Sequence, residues 1–363
     1  MTLSPRERVI RQLMFEETDR VPLFELFVSS KVLEQVLGIS LVEKGQAGRT
    51  AAPLSETVKA HTGVGLDCFV VDTLIKSENN KIVDEKSYVD EWGRLFSRTL
   101  RGQDSDFYIG GHLGSLEQYD DFPRPDPFDT WRVERYMEAV KAAGDRILII
   151  PGVGSIYEVT AEAIGYENFF RCIYLKPDFI ERALRDAAYF TIEQGKVCVD
   201  AGAEVLMVYD DYAYKHGPEI SPKLWMKFVF PLLKQTADSF HKRGAFMLLH
   251  TDGNIRPLMD GIINSGVDGI QPIDPSAGMT LTEAKEAWGD KLCLIGNIDV
   301  GRHSFGTPTE IAAEVKRAIE TAAPGGGYLL GSGHYINEAC KPENFIAQVE
   351  TCRKYGVYAK IRS

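Results

Sequence analysis

Eight short apolar runs, separated by stretches with helical periodicity, limit most strongly how this chain can fold. With the polar residues that end them, the runs cover residues 21–26, 68–72, 147–153, 205–211, 245–254, 269–274, 292–299 and 327–334. Apolar runs of this length that alternate with helices are typical of buried parallel strands. Eight such units predict an α/β fold, a (β/α)8 TIM barrel, with residues 1–363 in a single domain.

The regular order is interrupted after the second run. Residues 82–100 alternate between apolar and polar side chains, which predicts a β-hairpin inserted after strand 2. The later segment 122–128 reads Phe-Pro-Arg-Pro-Asp-Pro-Phe, and its prolines exclude a helix. We predict a stiff connector there.

Charge and composition exclude several classes of function. The formal net charge of −11 argues against a nucleic-acid-binding surface. No apolar run approaches the roughly 20 residues that span a bilayer, and residues 1–10 lack the apolar segment of a signal peptide. The six cysteines are scattered without a Cys-x-x-Cys pair, which favours a reducing compartment. We expect a cytoplasmic protein that binds neither nucleic acid nor membrane. The sequence leaves open whether it forms a homodimer.

The fifth run ends in the segment 250–254, His-Thr-Asp-Gly-Asn. His250 and Asp252 lie two residues apart, so on an extended strand their side chains share one face. An imidazole and a carboxylate at the mouth of a strand can hold a divalent metal or move a proton. The alternative is a hydrogen-bonded histidine followed by an Asp-Gly turn.

Polar side chains also end the other runs. In a barrel these ends meet in one mouth, where barrel enzymes keep their chemistry. Carboxylates that converge there repel one another unless a cation or protons lie among them. The alternative is that each residue ends a strand and caps the next helix. The candidates are Glu25, Asp72, Asp210, Asp211, Gln271, Asp274, Asn297, Asp299 and His334. Tyr157 and Glu158 follow the third run and could face the mouth, or Glu158 is only an acid at the start of a helix. Tyr212, beside the two aspartates, could shape an aromatic-substrate pocket or merely pack.

Several motifs together resemble the uroporphyrinogen decarboxylase superfamily, whose members are (β/α)8 barrels. The resemblance covers nearly the whole chain. It rests on Asp210-Asp211-Tyr, Ser221-Pro, His250-Thr-Asp252-Gly-Asn254, Gly296-Asn297-Ile-Asp299, Ala323-Pro-Gly-Gly-Gly327-Tyr, Arg20-Val-Pro, Asp90-Glu-Trp-Gly93 and Pro342-Glu-Asn344.

One branch of the superfamily decarboxylates porphyrinogens. Its members carry an arginine-rich segment after the first strand, whereas residues 24–31 of this chain contain no arginine and present Glu25 to the mouth. A polycarboxylate needs fixed positive charge, so this activity is not expected. Asp72 nevertheless matches the strand-two aspartate of that branch, and His334 lies near its last-strand histidine.

The second branch contains zinc-dependent methyltransferases that exchange methyl groups with a corrinoid protein. His250 matches their zinc-binding histidine, and Asp252 takes the place of a cysteine. The last-strand cysteine has no clean counterpart. His334 is nearest to that position, and Cys340 lies six residues further on. Cys340 could be a ligand or a reactive thiol, and the alternative is a buried cysteine without a role in the site. A zinc held by histidine and carboxylate suits a substrate oxygen better than a thiol.

The resemblance therefore implies a zinc-dependent methyltransferase that passes a methyl group from a small, O-methylated compound to the corrinoid of a partner protein. Zinc would be held by His250, Asp252 and His334. Asp210, Asp211, Asn297 and Asp72 would be catalytic, and Glu25, Tyr157, Tyr212 and Gln271 would bind substrate. The alternatives are a metal-free carboxy-lyase acting on a carboxylated small molecule, and a catalytically silent binding barrel.

Overall fold

The computed structural model describes residues 2–41, 52–97 and 106–361. The strands are β1 (Cys68–Asp72), β2 (Lys81–Asp84), β3 (Ser87–Val89), β4 (Arg94–Ser97), β5 (Phe107–Gly111), β6 (Leu148–Gly154), β7 (Val205–Tyr209), β8 (Ala213–Tyr214), β9 (Gly217–Pro218), β10 (Phe246–His250), β11 (Gly269–Gln271), β12 (Cys293–Ile298) and β13 (Tyr328–Ser332).

The helices lie mainly outside the sheet. They are α1 (Pro5–Leu13), α2 (Ser30–Leu37), α3 (Leu54–Val64), α4 (Leu116–Asp121), α5 (Thr130–Ala143), α6 (Tyr157–Ile164), α7 (Tyr166–Leu175), α8 (Pro177–Asp200), α9 (Pro222–Phe228), α10 (Phe230–His241), α11 (Met259–Ser265), α12 (Leu281–Trp288), α13 (Val300–Phe305), α14 (Pro308–Ala322), α15 (Pro342–Tyr355) and α16 (Tyr358–Ile361). None of the described helices is both long and apolar enough to cross a bilayer.

A parallel sheet forms the centre of the fold. Its seven strands follow the order β1-β6-β7-β10-β11-β12-β13. The predicted first strand fills the gap between the two edges, because the Phe24 N–H donates to the Leu330 carbonyl at 2.8 Å and the Asp67 N–H donates to the Leu23 carbonyl at 2.9 Å. The α/β barrel class predicted from the sequence is confirmed. The extent of the single domain over residues 1–363 stays a prediction.

Side chains alternate across the barrel wall, as they must on strands. One set, exemplified by Phe24, Val70, Met207 and Leu248, packs inside the barrel, and α1 adds Val9 to it from below. The other set faces the helices and includes Leu23, Phe69, Leu206, Leu249 and Leu330. The same alternation places Asp72, Tyr209, His250, Gln271 and Asn297 on the inward face at the carboxyl ends of their strands.

The insertion after β1 is larger than the predicted hairpin. It is a four-stranded antiparallel sheet in the order β2-β3-β4-β5, and β4 and β5 lie against α6. Residues 98–100, at the end of the predicted hairpin, lie outside the described part of the chain. The prolines of segment 122–128 follow α4, and α5 begins only at Thr130.

Candidate metal centre

His250 ends β10 with its ring buried in the mouth of the barrel. Its Nδ1 lies 2.5 Å from the side-chain oxygen of Gln271 on the neighbouring strand. A carboxamide oxygen can only accept, so Nδ1 carries the proton and Nε2 keeps its lone pair. This is the arrangement in which a histidine binds a metal through Nε2.

Two carboxylates flank that nitrogen. The Nε2 atom lies 3.8 Å from Asp211 Oδ1 and 3.9 Å from Asp252 Oδ2, and one ligand atom from each of the three residues lies within 4.8 Å of the others. Zinc bonds of about 2.0–2.2 Å place tetrahedral ligands roughly 3.4 Å apart. The two distances from Nε2, 3.8 and 3.9 Å, are slightly longer than this spacing, so a cation would draw the carboxylates closer to His250.

A second observation supports a cation here. Asp252 Oδ1 is buried, and no described residue hydrogen-bonds to it. A buried carboxylate oxygen without a partner is costly unless a cation or a proton compensates it. Nitrogen and oxygen donors of this kind fit zinc, so the residues present suit the metal that the sequence predicts.

His334 reaches the group only through Asp252. Its Nε2 lies 3.0 Å from Asp252 Oδ2, and its side chain is about half exposed at 46%. Among the described residues, the compact ligand set is Asp211, His250 and Asp252, so Asp211 stands where His334 was predicted. His334 as a ligand remains a prediction.

The loop that carries Asp252 is fastened to the neighbouring strands. The Asp252 N–H donates to Asp211 Oδ1 at 2.8 Å, and the Gly253 N–H donates to Asp274 at 3.1 Å. Gly253 has a φ of +87°, and a Cβ there would lie 2.6 Å from the Ala213 carbonyl oxygen. Only glycine fits this close approach without strain, and the Asp-Gly pair therefore fixes the direction of the Asp252 side chain.

The charges of the centre influence one another. Burial raises the pKa of Asp211 to about 6, against the opposing effect of His250. Burial also acts to raise the pKa of Asp252, but the electrostatic effect of the neighbouring His250 and the hydrogen bond from His334 outweigh it and lower that pKa. Burial acts to lower the pKa of His334, and its pairing with Asp252 raises it overall. The centre thus consists of two carboxylates with two imidazoles beside them.

Asp210 faces away from this centre. It is fully buried, and its Oδ1 accepts from the Ser155 hydroxyl at 2.9 Å and from the backbone N–H groups of Tyr157 and Glu158 at 2.8 and 2.9 Å. Burial raises its pKa to about 6. Asp210 thus fastens the first turn of α6 to the end of β7, and its predicted catalytic role has no contact in this structure that supports it.

Three residues predicted to bind substrate, Glu25, Tyr157 and Tyr212, are buried. Glu25 is 1% exposed and accepts from the Ser332 N–H and hydroxyl and from the Gln348 amide, because Phe24 and Leu26 take the inward positions of that strand. Burial raises its pKa to about 7.

Tyr157 and Tyr212 are also fully buried. Their rings meet at 6.0 Å, and the Tyr157 hydroxyl donates to Glu219 at 3.1 Å. The Tyr157 ring packs against Phe169 and the Tyr212 ring against Trp225, and their role in substrate binding stays a prediction.

The remaining predicted residues keep inward positions at strand ends. Asn297 lies in β12, and Asp72 ends β1, where its Oδ1 accepts from the Leu74 N–H at 2.8 Å. Their catalytic roles stay predictions. Gln271 is 1% exposed and fixes the orientation of the His250 ring, and its role in substrate binding stays a prediction. Cys340 is buried beside Ser304 and Asn337 and is not part of the ligand set.

Glu158 was already a candidate from the sequence, and the structure adds Glu162 on the same helix and Arg94. Glu158 approaches the backbone of Asp211, with its Oε2 3.4 Å from that N–H, and burial followed by the Asp211 charge raises its pKa. One turn further, Glu162 pairs with Arg94 at 2.9 Å, and Arg94 also pairs with Asp90 at 2.7 Å. The i, i+4 spacing of the two glutamates could have indicated this acidic face.

The sequence matches one known protein family over most of its length. Residues 104–355 match the family described as Uroporphyrinogen decarboxylase (URO-D). The chain belongs to the uroporphyrinogen decarboxylase family. This confirms the resemblance inferred from the motifs.

Curated relatives in the uroporphyrinogen decarboxylase family fall into two groups. A uroporphyrinogen decarboxylase of Nitrosomonas europaea is 24% identical over 246 residues, covering 65% of this chain and 66% of that protein. A methylcobamide:CoM methyltransferase of Methanosarcina barkeri is 27% identical over 230 residues, covering 62% and 64%. The chain thus matches just under two thirds of the length of these relatives. Sequence identity does not separate the two groups.

One solved structure shares the whole fold of this chain. It is a methyltransferase from Methanosarcina mazei, with a TM-score of 0.73 at 20% identity, and the match covers 97% of this chain and 99% of that one. At this identity the likeness establishes the barrel architecture.

Proposed function

We propose that the protein is a zinc-dependent methyltransferase that passes a methyl group from a small, O-methylated compound to the corrinoid of a partner protein. The observation that carries the proposal is the set of Asp211, His250 and Asp252 at the mouth, with His250 held by Gln271 so that Nε2 faces both carboxylates. The name of the methylcobamide-dependent relative supports the corrinoid partner.

Each residue of the centre has a defined task in this proposal. His250, Asp211 and Asp252 hold the metal, and His334 completes the set by moving from its present contact with Asp252. Zinc, when bound, supplies a Lewis acid beside the methoxyl oxygen. Gln271 keeps the Nδ1 proton of His250 in place, and Glu158 adds negative charge behind Asp211. Inward-facing Asp72 and Asn297 contact the substrate.

The reaction requires help for the leaving group. The bond between oxygen and the methyl carbon breaks, its electron pair stays on the oxygen, and the methyl carbon bonds to the cobalt of the reduced corrinoid. An alkoxide or phenolate leaves poorly unless its developing charge is neutralised. A histidine and carboxylate ligand set keeps the metal harder than a thiolate set, which matches an oxygen leaving group.

The electrostatics of the mouth argue against a porphyrinogen substrate. Such a polycarboxylate needs fixed cations. Arg94, which lies near the mouth beside α6, is already paired with Asp90 and Glu162. The carboxylates of Asp211 and Asp252 would repel an anionic substrate. We expect no turnover of uroporphyrinogen by this chain.

The proposal is tested by metal content and methyl transfer together. Protein purified without chelator should contain about one zinc per chain, and His250→Ala should lose most of it. The protein should also demethylate 2-methoxyphenol with chemically reduced cobalamin as a surrogate acceptor, followed by the cobalamin absorbance. A protein that is free of metal and retains full activity after chelation would overturn the zinc assignment, and turnover of uroporphyrinogen would favour the lyase alternative.

A further inference from the structure

Thr251 lies between two of the proposed metal ligands, His250 and Asp252. Its side chain is fully buried, at 0% exposure. Its hydroxyl oxygen accepts a hydrogen bond from the Tyr212 N–H at 3.1 Å, and Tyr212 directly follows the third ligand, Asp211. This one contact therefore joins the chain segment that carries Asp211 to the segment that carries Asp252.

The two segments are also joined on both sides of this contact. Before it, the Asp210 N–H donates to the His250 carbonyl at 2.9 Å, which continues the pairing of β7 with β10. After it, the Asn254 N–H donates to the Tyr214 carbonyl at 3.1 Å. The segments are thus held together beyond the ends of the strands, with the Thr251 hydroxyl in the middle.

A further link between the segments uses a ligand oxygen. The Asp252 N–H donates to Asp211 Oδ1 at 2.8 Å, and the same Oδ1 is the carboxylate atom that lies 3.8 Å from His250 Nε2. A cation that binds Asp211 Oδ1 shares that oxygen with the hydrogen bond. The contact between Thr251 and the Tyr212 N–H involves none of the ligand atoms, so it can hold the two segments at one spacing with and without metal.

Loss of the Thr251 hydroxyl would move a ligand. Tyr212 is fully buried, and a buried N–H that loses its acceptor is unfavourable. The backbone at residues 211–212 would relieve this by moving away from residues 251–252, and the Asp211 carboxylate would move with it.

We propose that Thr251 is a positioning residue of the metal centre, whose hydroxyl sets the distance between the carboxylates of Asp211 and Asp252. Residues that hold metal ligands orient them, and loss of such a residue weakens metal binding. The inference deepens the proposed zinc site and rests on it. The alternative is a purely structural threonine, which contributes to stability and has no effect on zinc binding.

The zinc affinity of the full chain tests this role, measured by competition with a chromophoric chelator. Thr251→Val keeps the shape of the side chain but removes the acceptor, and we expect it to weaken zinc binding roughly 10- to 100-fold, the range for residues that hold metal ligands. Thr251→Ser retains the hydroxyl and should bind zinc as tightly as the parent. The visible absorption of the Co²⁺-loaded protein reports the arrangement of ligands around the metal. It should change in Thr251→Val and stay parent-like in Thr251→Ser.

Thr236→Val is the matched control. Thr236 is fully buried on α10, where its hydroxyl donates to the Leu232 carbonyl at 2.9 Å. The control should leave zinc affinity and the Co²⁺ spectrum unchanged. Parent-like zinc affinity in Thr251→Val, or an equal loss in Thr251→Ser or in Thr236→Val, would overturn the proposal. If Thr251→Val does not fold, Thr251→Ala takes its place with the same expected results.

Amide hydrogen exchange tests the contact without a substitution. The Tyr212 N–H should be protected in the metal-free parent, because its bond to Thr251 does not need the metal, and rapid exchange there would overturn the proposal. A parent that binds zinc but transfers no methyl group would refute the proposed function and leave the role of Thr251 intact. A parent that binds no zinc would overturn both.

Discussion

The contact between Gln271 and His250 gives the sharpest test of the metal centre. Gln271→Leu keeps the size of a side chain that is 1% exposed but removes the acceptor 2.5 Å from Nδ1. The buried N–H then lacks a partner, which costs about 1–3 kcal/mol. The ring can recover that energy by rotating or by moving its proton to Nε2, and either change takes the lone pair away from Asp211 and Asp252.

We therefore expect Gln271→Leu to weaken zinc binding roughly 10- to 100-fold, the range known for partners of metal-bound histidines. Gln271→Glu retains an acceptor oxygen and should bind zinc at least as tightly as the parent. Affinity is measured by competition with a chromophoric chelator, and the fold is checked by thermal unfolding of the metal-free proteins.

Gln194→Leu is the matched control. Gln194 is a buried glutamine on α8 that bonds to Thr73 at 3.2 Å and Cys198 at 3.5 Å, away from the ligand set. Its loss should lower stability and leave zinc affinity unchanged. Parent-like affinity in Gln271→Leu would refute the positioning role, and an equal loss in Gln194→Leu would show that general destabilisation explains the effect.

Three further predictions concern binding, pH and stability. Asp252→Asn should weaken zinc binding by more than roughly 100-fold, because the change removes a ligand and not merely a residue that holds a ligand. Asp252→Cys should retain zinc but lose activity towards an oxygen-bound methyl group. Unchanged zinc content in Asp252→Asn would show that Asp252 is not part of the site. Burial lowers the pKa of His61 from 6.5 to about 4, so its contribution to stability is complete above pH 6.5 and is lost as the pH falls towards 4, by about 3 kcal/mol. Between pH 7 and pH 4 the free energy of unfolding of His61→Leu, relative to that of the parent, should rise by about that amount, as measured by denaturant unfolding. A stability difference that is the same at both pH values would contradict this prediction. Arg132→Met should cost about 3–5 kcal/mol, because it leaves the buried carboxylate of Glu91, 3.0 Å away, without its ion pair; adding Glu91→Gln should recover part of the loss in the same assay.

The local pattern of apolar runs and helices is sufficient to predict the barrel. Strand β10 was expected over residues 245–250 and runs from Phe246 to His250, and β1 matches its predicted run, Cys68–Asp72. A buried parallel strand must be apolar on both faces, so it is visible in the sequence without knowledge of its neighbours. The inserted sheet was harder to predict, because its third and fourth strands pair across residues 98–105.

The candidate site could be predicted only as a set of residues. His250 and Asp252 share a face because they lie two apart on one strand, and that spacing is local. The third member of the ligand set, Asp211, comes from the end of another strand. The residue that contacts His250 Nδ1, Gln271, comes from a further strand. These pairings depend on the order and register of parallel strands, which a single sequence does not specify.

The sequence by itself determined where the strands lie, which of them end in chemical groups, and that one histidine and one aspartate project together. The tertiary structure decided which of those groups meet. In the folded chain, Glu25 contacts Gln348 in the helix layer, and Asp210 accepts a hydrogen bond at the start of α6. Asp211 lies beside the imidazole of His250. The physical reason is that strand composition follows from burial along one segment, whereas the direction and partners of a strand-end side chain follow from inward and outward alternation and from the neighbouring strands.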